Sequence, residues 1–290
     1  MKLLRHGLKG QERPGLLDAH GQVRDLSGLI DDLTPAHLSP QGLAALAALN
    51  PQALPLVPES QQGPLAVPWS GMGKFIAIGL NYADHAAEAG MPIPKEPIVF
   101  SKTIDCAVGA NHAVVLPQGS VKSDWEVELG IVIGSTARYV AEAEALKHVA
   151  GYCVVNDVSE REYQLERGSQ WDKGKGCDTF GPIGPWLVTA DEVPDPQNLA
   201  MWFELNGHRY QNGNTRTMIF GVATLVSYLS RFMTLRPGDL ITTGTPPGVG
   251  MGVKPNPVFL KPGDVMRLGI AGLGVQQQTV HAWDPALIDS

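Results

Sequence analysis

The stretch Asp124-Trp125-Glu126-Val127-Glu128-Leu129-Gly130-Ile131-Val132-Ile133-Gly134 places three acids at alternate positions and then runs into unbroken apolar sequence. Val and Ile dominate, so a strand is predicted over 126–133. Successive strand side chains point to opposite faces, which puts Asp124, Glu126 and Glu128 on one face, with neighbours roughly 6–7 Å apart. A solvated strand face would carry such acids without cost. A buried one would not, because unpaired carboxylates away from water are expensive, and a hard cation removes the conflict. A further acid, Asp157, ends a second apolar run, Tyr152-Cys153-Val154-Val155-Asn156. An all-carboxylate set suits magnesium, manganese or calcium better than zinc.

Outward from this stretch the chain reads as β-rich. Strands are predicted at 75–79, 98–101, 113–116, 152–156, 186–189, 201–205, 240–243 and 265–270, and helices at 82–89, 141–149, 159–167 with Ser159 as cap, and 220–232. Asn206-Gly207 and Asn212-Gly213 are turn dipeptides that predict hairpins. Many short strands with few interposed helices argue for an α+β, β-rich roll or sandwich rather than a doubly wound sheet. Residues 1–70 read as a small N-terminal α+β domain, with strands at 1–5, 15–17 and 23–26 and a helix from Ser39-Pro40 to Ala48. The Pro- and Gly-rich stretch 58–68 reads as a linker. This leaves 71–290 as the larger domain.

Composition narrows the partners. The 290 residues are 43% hydrophobic, enough for a substantial core. The net charge of −7 and the lack of a basic run argue against nucleic acid and anionic membranes. No stretch of about 18 apolar residues predicts a membrane span. The three cysteines are widely spaced and form no CxxC pair, which fits a reduced, cytoplasmic compartment.

Four further segments carry chemistry. In Gly79-Leu80-Asn81-Tyr82-Ala83-Asp84-His85-Ala86-Ala87-Glu88, His85 and Glu88 stand at i and i+3 on one helix face. A carboxylate beside an imidazole orients it and raises its basicity, which makes a general base, although such pairs also occur as plain surface pairs. In Asn156-Asp157-Val158-Ser159-Glu160-Arg161-Glu162-Tyr163-Gln164, Arg161 and Gln164 share a helix face and suit an anionic, oxygen-rich ligand. Trp171-Asp172-Lys173-Gly174-Lys175-Gly176-Cys177-Asp178 offers two lysines to offset carboxylate charge. Thr242-Thr243-Gly244-Thr245-Pro246-Pro247-Gly248-Val249-Gly250 can present backbone N–H and hydroxyl groups to an anion. It is neither a phosphate-binding P-loop nor a dinucleotide fingerprint.

Together, GLNYADH, DWEVELGIVIG, NDVSERE, KGCDTFGPIGP and TTGTPPGVG, in this order and at these spacings, resemble the fumarylacetoacetate hydrolase family over roughly residues 72–280. The small N-terminal unit is similar to that of bacterial acylpyruvate-hydrolase-type members. The resemblance implies a mixed β-roll, a homodimer, and a central divalent ion, magnesium or manganese with calcium also compatible. It implies that Glu126, Glu128 and Asp157 are the metal ligands, with Asp124 outside the ligand set. It implies that His85 and Glu88 form a water-activating lid dyad and that Lys175, rather than Lys173, stands near the metal. Arg161, Gln164 and Thr245 are implied to contact substrate.

The activity so implied is hydrolysis of the C3–C4 bond of a 2,4-dioxo acid to pyruvate and a carboxylic acid. The long glycine-rich turn and the MKLLR start are most similar to members acting on 2,4-diketo-3-deoxy sugar acids of the rhamnonate or fuconate type. The same site in the family also supports oxaloacetate-type decarboxylation, hydroxy-dienoate isomerisation and a ureidoglycolate lyase reaction. A non-catalytic β-rich module with a structural calcium is the reading from another class. It would leave the dyad and the lysine idle.

Overall fold

A computed structural model describes residues 1–288, so the last two residues of the expected larger domain lie outside the described residues. The acid-bearing strand, Val127–Ile133, is buried on both faces. Val127, Leu129, Ile131 and Ile133 pack into one apolar core, and Val132, from the opposite face, packs into a second. Two layers cover this strand because its apolar run has no polar alternation to leave in water.

It sits near the middle of a ten-stranded mixed sheet. The strand order is Val23–Asp25, Arg13–Leu17, Lys2–His6, Gly181–Thr189, Val149–Asn156, Val127–Ile133, Leu240–Thr242, Phe75–Gly79 and Ile98–Lys102, with Ala107–Gly109 paired beside Gly181–Thr189. A five-stranded sheet closes over one face: His208–Asn214, Ala200–Leu205, Val265–Ile270, Gly274–His281 and Val114–Val115. The first core lies between the two sheets, joining Leu129 and Ile131 to Phe203, Met266 and Leu268. The helix Val222–Phe232 contributes Leu225, Val226 and Leu229 to it.

The N-terminal segment shares both backbone pairing and core with the larger unit. Lys2 and Leu3 pair antiparallel with Val188 and Leu187. Leu3, Leu33, Leu38 and Trp69 pack with Val132, Ala150 and Leu240 in the second core. The stretch expected as a linker holds the short helix Glu59–Gln62, and Leu65 bridges back to His6.

Several expectations need local correction. Asn206-Gly207 does form the two-residue hairpin turn, with φ of 52° and 81°, the left-handed values a type I′ turn requires. Asn212-Gly213 does not, and instead lies inside the strand His208–Asn214. The helix expected from Ser159 runs only over Arg161–Leu165 and is capped by Glu160, whose carboxylate accepts from the Glu162 N–H. Ser159 and Glu160 form a two-residue strand that pairs with Ser123–Asp124. The helix expected over 141–149 is one turn, Glu142–Ala145, followed by a 3₁₀ turn.

The strand Gly274–His281 was not expected at all. Two of its three inward positions are Gln276 and Gln278, both fully buried, with only Val280 apolar, so the sequence lacks the apolar alternation that marks a half-buried strand. Their amides donate to backbone carbonyls. Gln276 Nε2 donates to Val154 O (2.8 Å) and Gly184 O (2.9 Å), and Gln278 donates to Ala110 O.

Candidate active site

Glu126, Glu128 and Asp157 meet at one end of the central strands. Glu128 pairs with Val155 across the sheet, and Asp157 follows directly after that partner strand. Each of the three offers an oxygen within 4.8 Å of the others, and all are buried. The backbone fixes them further. Asn156 accepts from the Glu126 N–H at 3.3 Å and donates to Gln278 at 3.2 Å, and the Asp157 N–H donates to Glu126 O at 2.9 Å.

Two lysines and an arginine surround the acids. Lys175 Nζ donates to Glu126 Oε2 (2.6 Å) and Asp157 Oδ2 (2.8 Å), which leaves one of its three donor hydrogens free. Lys102 Nζ donates to Asp157 Oδ1 (2.7 Å), to Val158 O and to Lys175 O. Arg161 reaches Asp124 (2.9 Å from Nε) and Glu126 (2.7 Å from Nη2), and its Nη1 donates to the Gln164 side-chain oxygen at 3.1 Å. The Gln164 oxygen is thereby fixed and its NH₂ remains available. Asp124, expected outside the ligand set, is fully buried. It ties Arg161 to the glycine-rich loop by accepting from Gly250 N (2.6 Å) and Met251 N (3.0 Å).

Ionisation follows from these neighbours. Burial alone would raise the Glu126 carboxyl, but Lys175 and Arg161 hold it at about 2. Burial, with Asp157 and Glu126 as like charges, pushes Glu128 well above the ordinary carboxylate value. Its hydrogen bond is the Gly244 N–H at 2.9 Å. Burial alone would lower Lys102, but Asp157 keeps it above its ordinary value.

The residues present fit a divalent oxygen-ligated cation. With all four buried acids (Asp124, Glu126, Glu128, Asp157) ionised, as ligation requires, they exceed the three cations (Lys102, Arg161, Lys175) by one negative charge, at Glu128, which has no cationic hydrogen-bond partner. A divalent ion turns that balance to one positive charge, which matches a monoanionic acid. The donor set is all carboxylate, the preference of hard cations.

The helix Ala83–Glu88 brings the dyad to the same cavity. His85 Nδ1 lies 3.1 Å from Glu88 Oε2. An ionised carboxylate only accepts, so Nδ1 donates and Nε2 carries the lone pair. Glu88 also accepts from the Gly248 N–H at 3.1 Å, which docks this helix on the glycine-rich loop. Thr245 lines the cavity, but its hydroxyl is committed, donating to Val127 O (2.9 Å) and accepting from Gln211 Nε2 (2.8 Å). The turn thus presents Gly244 to Glu128 and holds strand and loop together.

The whole is one cavity of about 390 Å³, lined by His85, Glu88, Glu126, Glu128, Arg161 and Lys175 among others. Lys102 and the Glu88–Gly248 tether had not been singled out from sequence. Lys102 sits in Val99-Phe100-Ser101-Lys102, on the edge strand Ile98–Lys102, and only its full burial marks it. The glycines of the lysine loop have a packing reason. A Cβ on Gly174 would lie 2.3 Å from Glu160 O and 2.6 Å from Gln164 N, so only glycine lets the turn Asp172–Lys175 approach Arg161–Leu165.

The chain thus combines a two-layer β-rich fold with a buried carboxylate–lysine centre and a histidine–glutamate pair on one cavity. The family model described as fumarylacetoacetate (FAA) hydrolase C-terminal matches residues 74–281, and the chain belongs to that family. A Burkholderia lata protein, whose name assigns it only provisionally as a hydrolase, is 66% identical over 96% of this chain and 98% of its own. Maleylpyruvate hydrolase from Sphingobium sp. SYK-6, solved with manganese(II) and pyruvate, is 30% identical, with a TM-score of 0.80 over 98% of this chain and all of that one. 5-Carboxymethyl-2-hydroxymuconate delta-isomerase from Mycobacterium smegmatis is 30% identical, with a TM-score of 0.78 at the same coverage. Among the described residues no helix is long and apolar enough to cross a membrane.

Proposed function

We infer that this chain hydrolyses the C3–C4 bond of a 2,4-dioxo acid, giving pyruvate and a carboxylic acid. The observation that carries this reading is the shared cavity. The carboxylate–lysine centre and the His85–Glu88 dyad face the same space, and Gly248 holds the dyad in place. Glu126, Glu128 and Asp157 would hold magnesium or manganese. When bound, the ion supplies Lewis-acid polarisation of the 2-oxo group and lowers the cost of negative charge at C3.

The chain's own residues do the rest. The free Lys175 N–H lies beside the carboxylates and stabilises negative charge on the 2-oxo oxygen. The Gln164 NH₂, fixed by Arg161, donates to the substrate carboxylate. His85 Nε2 takes a proton from a water, and the resulting hydroxide adds to C4. Collapse of the C4 adduct breaks C3–C4 and passes the electron pair to C3, and return of the proton held on His85 to that carbon yields pyruvate and frees the imidazole. Isomerisation and decarboxylation require no activated water, so the dyad favours hydrolysis. A neighbour named as an isomerase has the same fold, and isomerisation is the second reading.

The test is pyruvate release from acetylpyruvate with added Mn²⁺ or Mg²⁺, set beside oxaloacetate and a hydroxy-dienoate. The expected result is metal-dependent formation of pyruvate and acetate. Turnover of oxaloacetate or the dienoate alone would contradict the assignment.

A further inference from the structure

Besides its charged groups, the cavity is lined by aromatic and apolar side chains. Phe100 has its ring centre 5.2 Å from Lys175 Nζ. Its ring stands edge-on to Trp171, with centres 5.3 Å apart and planes at 65°. The strand Phe75–Gly79 ends in glycine where the indole enters, since a Cβ on Gly79 would lie 2.4 Å from Trp171 Cζ3. Three more lining residues, Met91, Leu165 and Met251, are 52%, 45% and 36% exposed. Large apolar side chains gathered on an open surface mark a binding site for an apolar group.

Hydrogen-bonding side chains are few among the remaining lining residues. Apart from the carboxylate–lysine centre, the dyad, Arg161, Gln164 and Thr245, the lining offers polar side-chain atoms only on Lys254 and the Trp171 indole N–H. Arg161 and the Thr245 hydroxyl are already committed to protein partners. Hydroxyls on the far half of a substrate would lose water there without gaining donors or acceptors. A polyhydroxylated acyl chain therefore fits this wall poorly.

We propose that the Phe100–Trp171 wall is an acyl pocket for an apolar, planar group, so that the preferred substrate is a 2,4-dioxo acid bearing an aromatic or unsaturated apolar substituent on C4. This rests on the reaction inferred above. The 2-oxo acid end is taken by the carboxylates and Lys175, so the C4 substituent falls on the wall that begins at Phe100. Lys254, exposed and without an ion-pair partner among the described residues, marks the competing reading, a distal carboxylate.

The experiment compares kcat/KM of the manganese-loaded enzyme for acetylpyruvate, benzoylpyruvate, fumarylpyruvate and a 2,4-dioxo-3-deoxy sugar acid. Benzoylpyruvate is expected to exceed the other three by at least about tenfold, the scale on which apolar pockets discriminate. Trp171→Ala is expected to cut the benzoyl-to-acetyl ratio by about tenfold, and Leu165→Gln, a change at a half-exposed site, to lower it in the same direction. A benzoyl-to-acetyl ratio near one, a ratio unmoved by both substitutions, or a preference for the fumaryl or hydroxylated compound would overturn the acyl pocket while leaving the hydrolytic reading in place. If none of the four is cleaved, the reaction itself falls and the pocket assignment falls with it.

Discussion

Glu128→Gln is expected to weaken Mn²⁺ binding by more than about a hundredfold and to abolish hydrolysis, with thermal stability unchanged or raised. Losing even an outer-shell partner of a metal ligand typically costs about 10–100-fold, and Glu128 is itself one of the proposed ligands. The neutral amide keeps the shape and its oxygen still accepts from Gly244 N–H, while the repulsion from Asp157 and Glu126 disappears. The other two ligands behave differently. Glu126→Ala removes one of the two carboxylate partners of Lys175 and of Arg161, and Asp157→Ala removes one of the two of Lys175 and the carboxylate partner of Lys102, all buried. Removing one partner of a buried pair costs about 3–5 kcal/mol, so these variants should melt early as well as lose metal.

Glu128 also predicts the pH dependence. Its carboxyl is raised in the folded protein and must lose its proton to ligate, so metal affinity should rise with pH, by about tenfold per unit while Glu128 remains protonated, and then level off. Without metal the sign for stability is opposite, since raising the pH through this group charges it at a site of like charges. Calorimetric titration with Mn²⁺ between about pH 5 and pH 8 reads the first effect, and a flat affinity would contradict it.

His85→Ala is expected to lower 2,4-dioxo acid hydrolysis by about 10²–10⁴-fold, the usual contribution of a general base. KM and Mn²⁺ affinity should move little, because His85 bonds to Glu88 rather than to any of the three carboxylates. Any oxaloacetate decarboxylation should fall less, since that reaction needs an electron sink and no attacking water. Parallel kinetics on both substrates provide the check. Equal losses in the two reactions, together with loss of metal, would show a structural role instead.

Much of the site was legible because its chemistry is local in sequence. Alternation along 124–128 and the acid ending the 152–156 run offered four acids, and the family resemblance singled out the three that the fold brings within 4.8 Å. Helical spacing led to the His85–Glu88 contact and to the Arg161–Gln164 bond at 3.1 Å. What stayed hidden depends on long-range packing. Lys102 bonds to Asp157, 55 positions away, and nothing around it distinguishes a buried lysine from an edge-strand one. Gln276 and Gln278 are polar residues serving as core, which erased the strand signal. Ser159 is a good cap by residue type, but pairing with Asp124 drew it into a strand and passed the cap to Glu160. The Thr245 hydroxyl, read from sequence as a ligand contact, is held by Val127 and Gln211.

The most direct measurement follows the oxygen of the attacking water. The manganese-loaded enzyme turning over acetylpyruvate in heavy-oxygen water should place one label from solvent in the carboxyl group of acetate for each pyruvate formed. Acetate without solvent oxygen, or carbon dioxide in place of acetate, would contradict hydrolysis at C4 and with it the role assigned to His85 and Glu88.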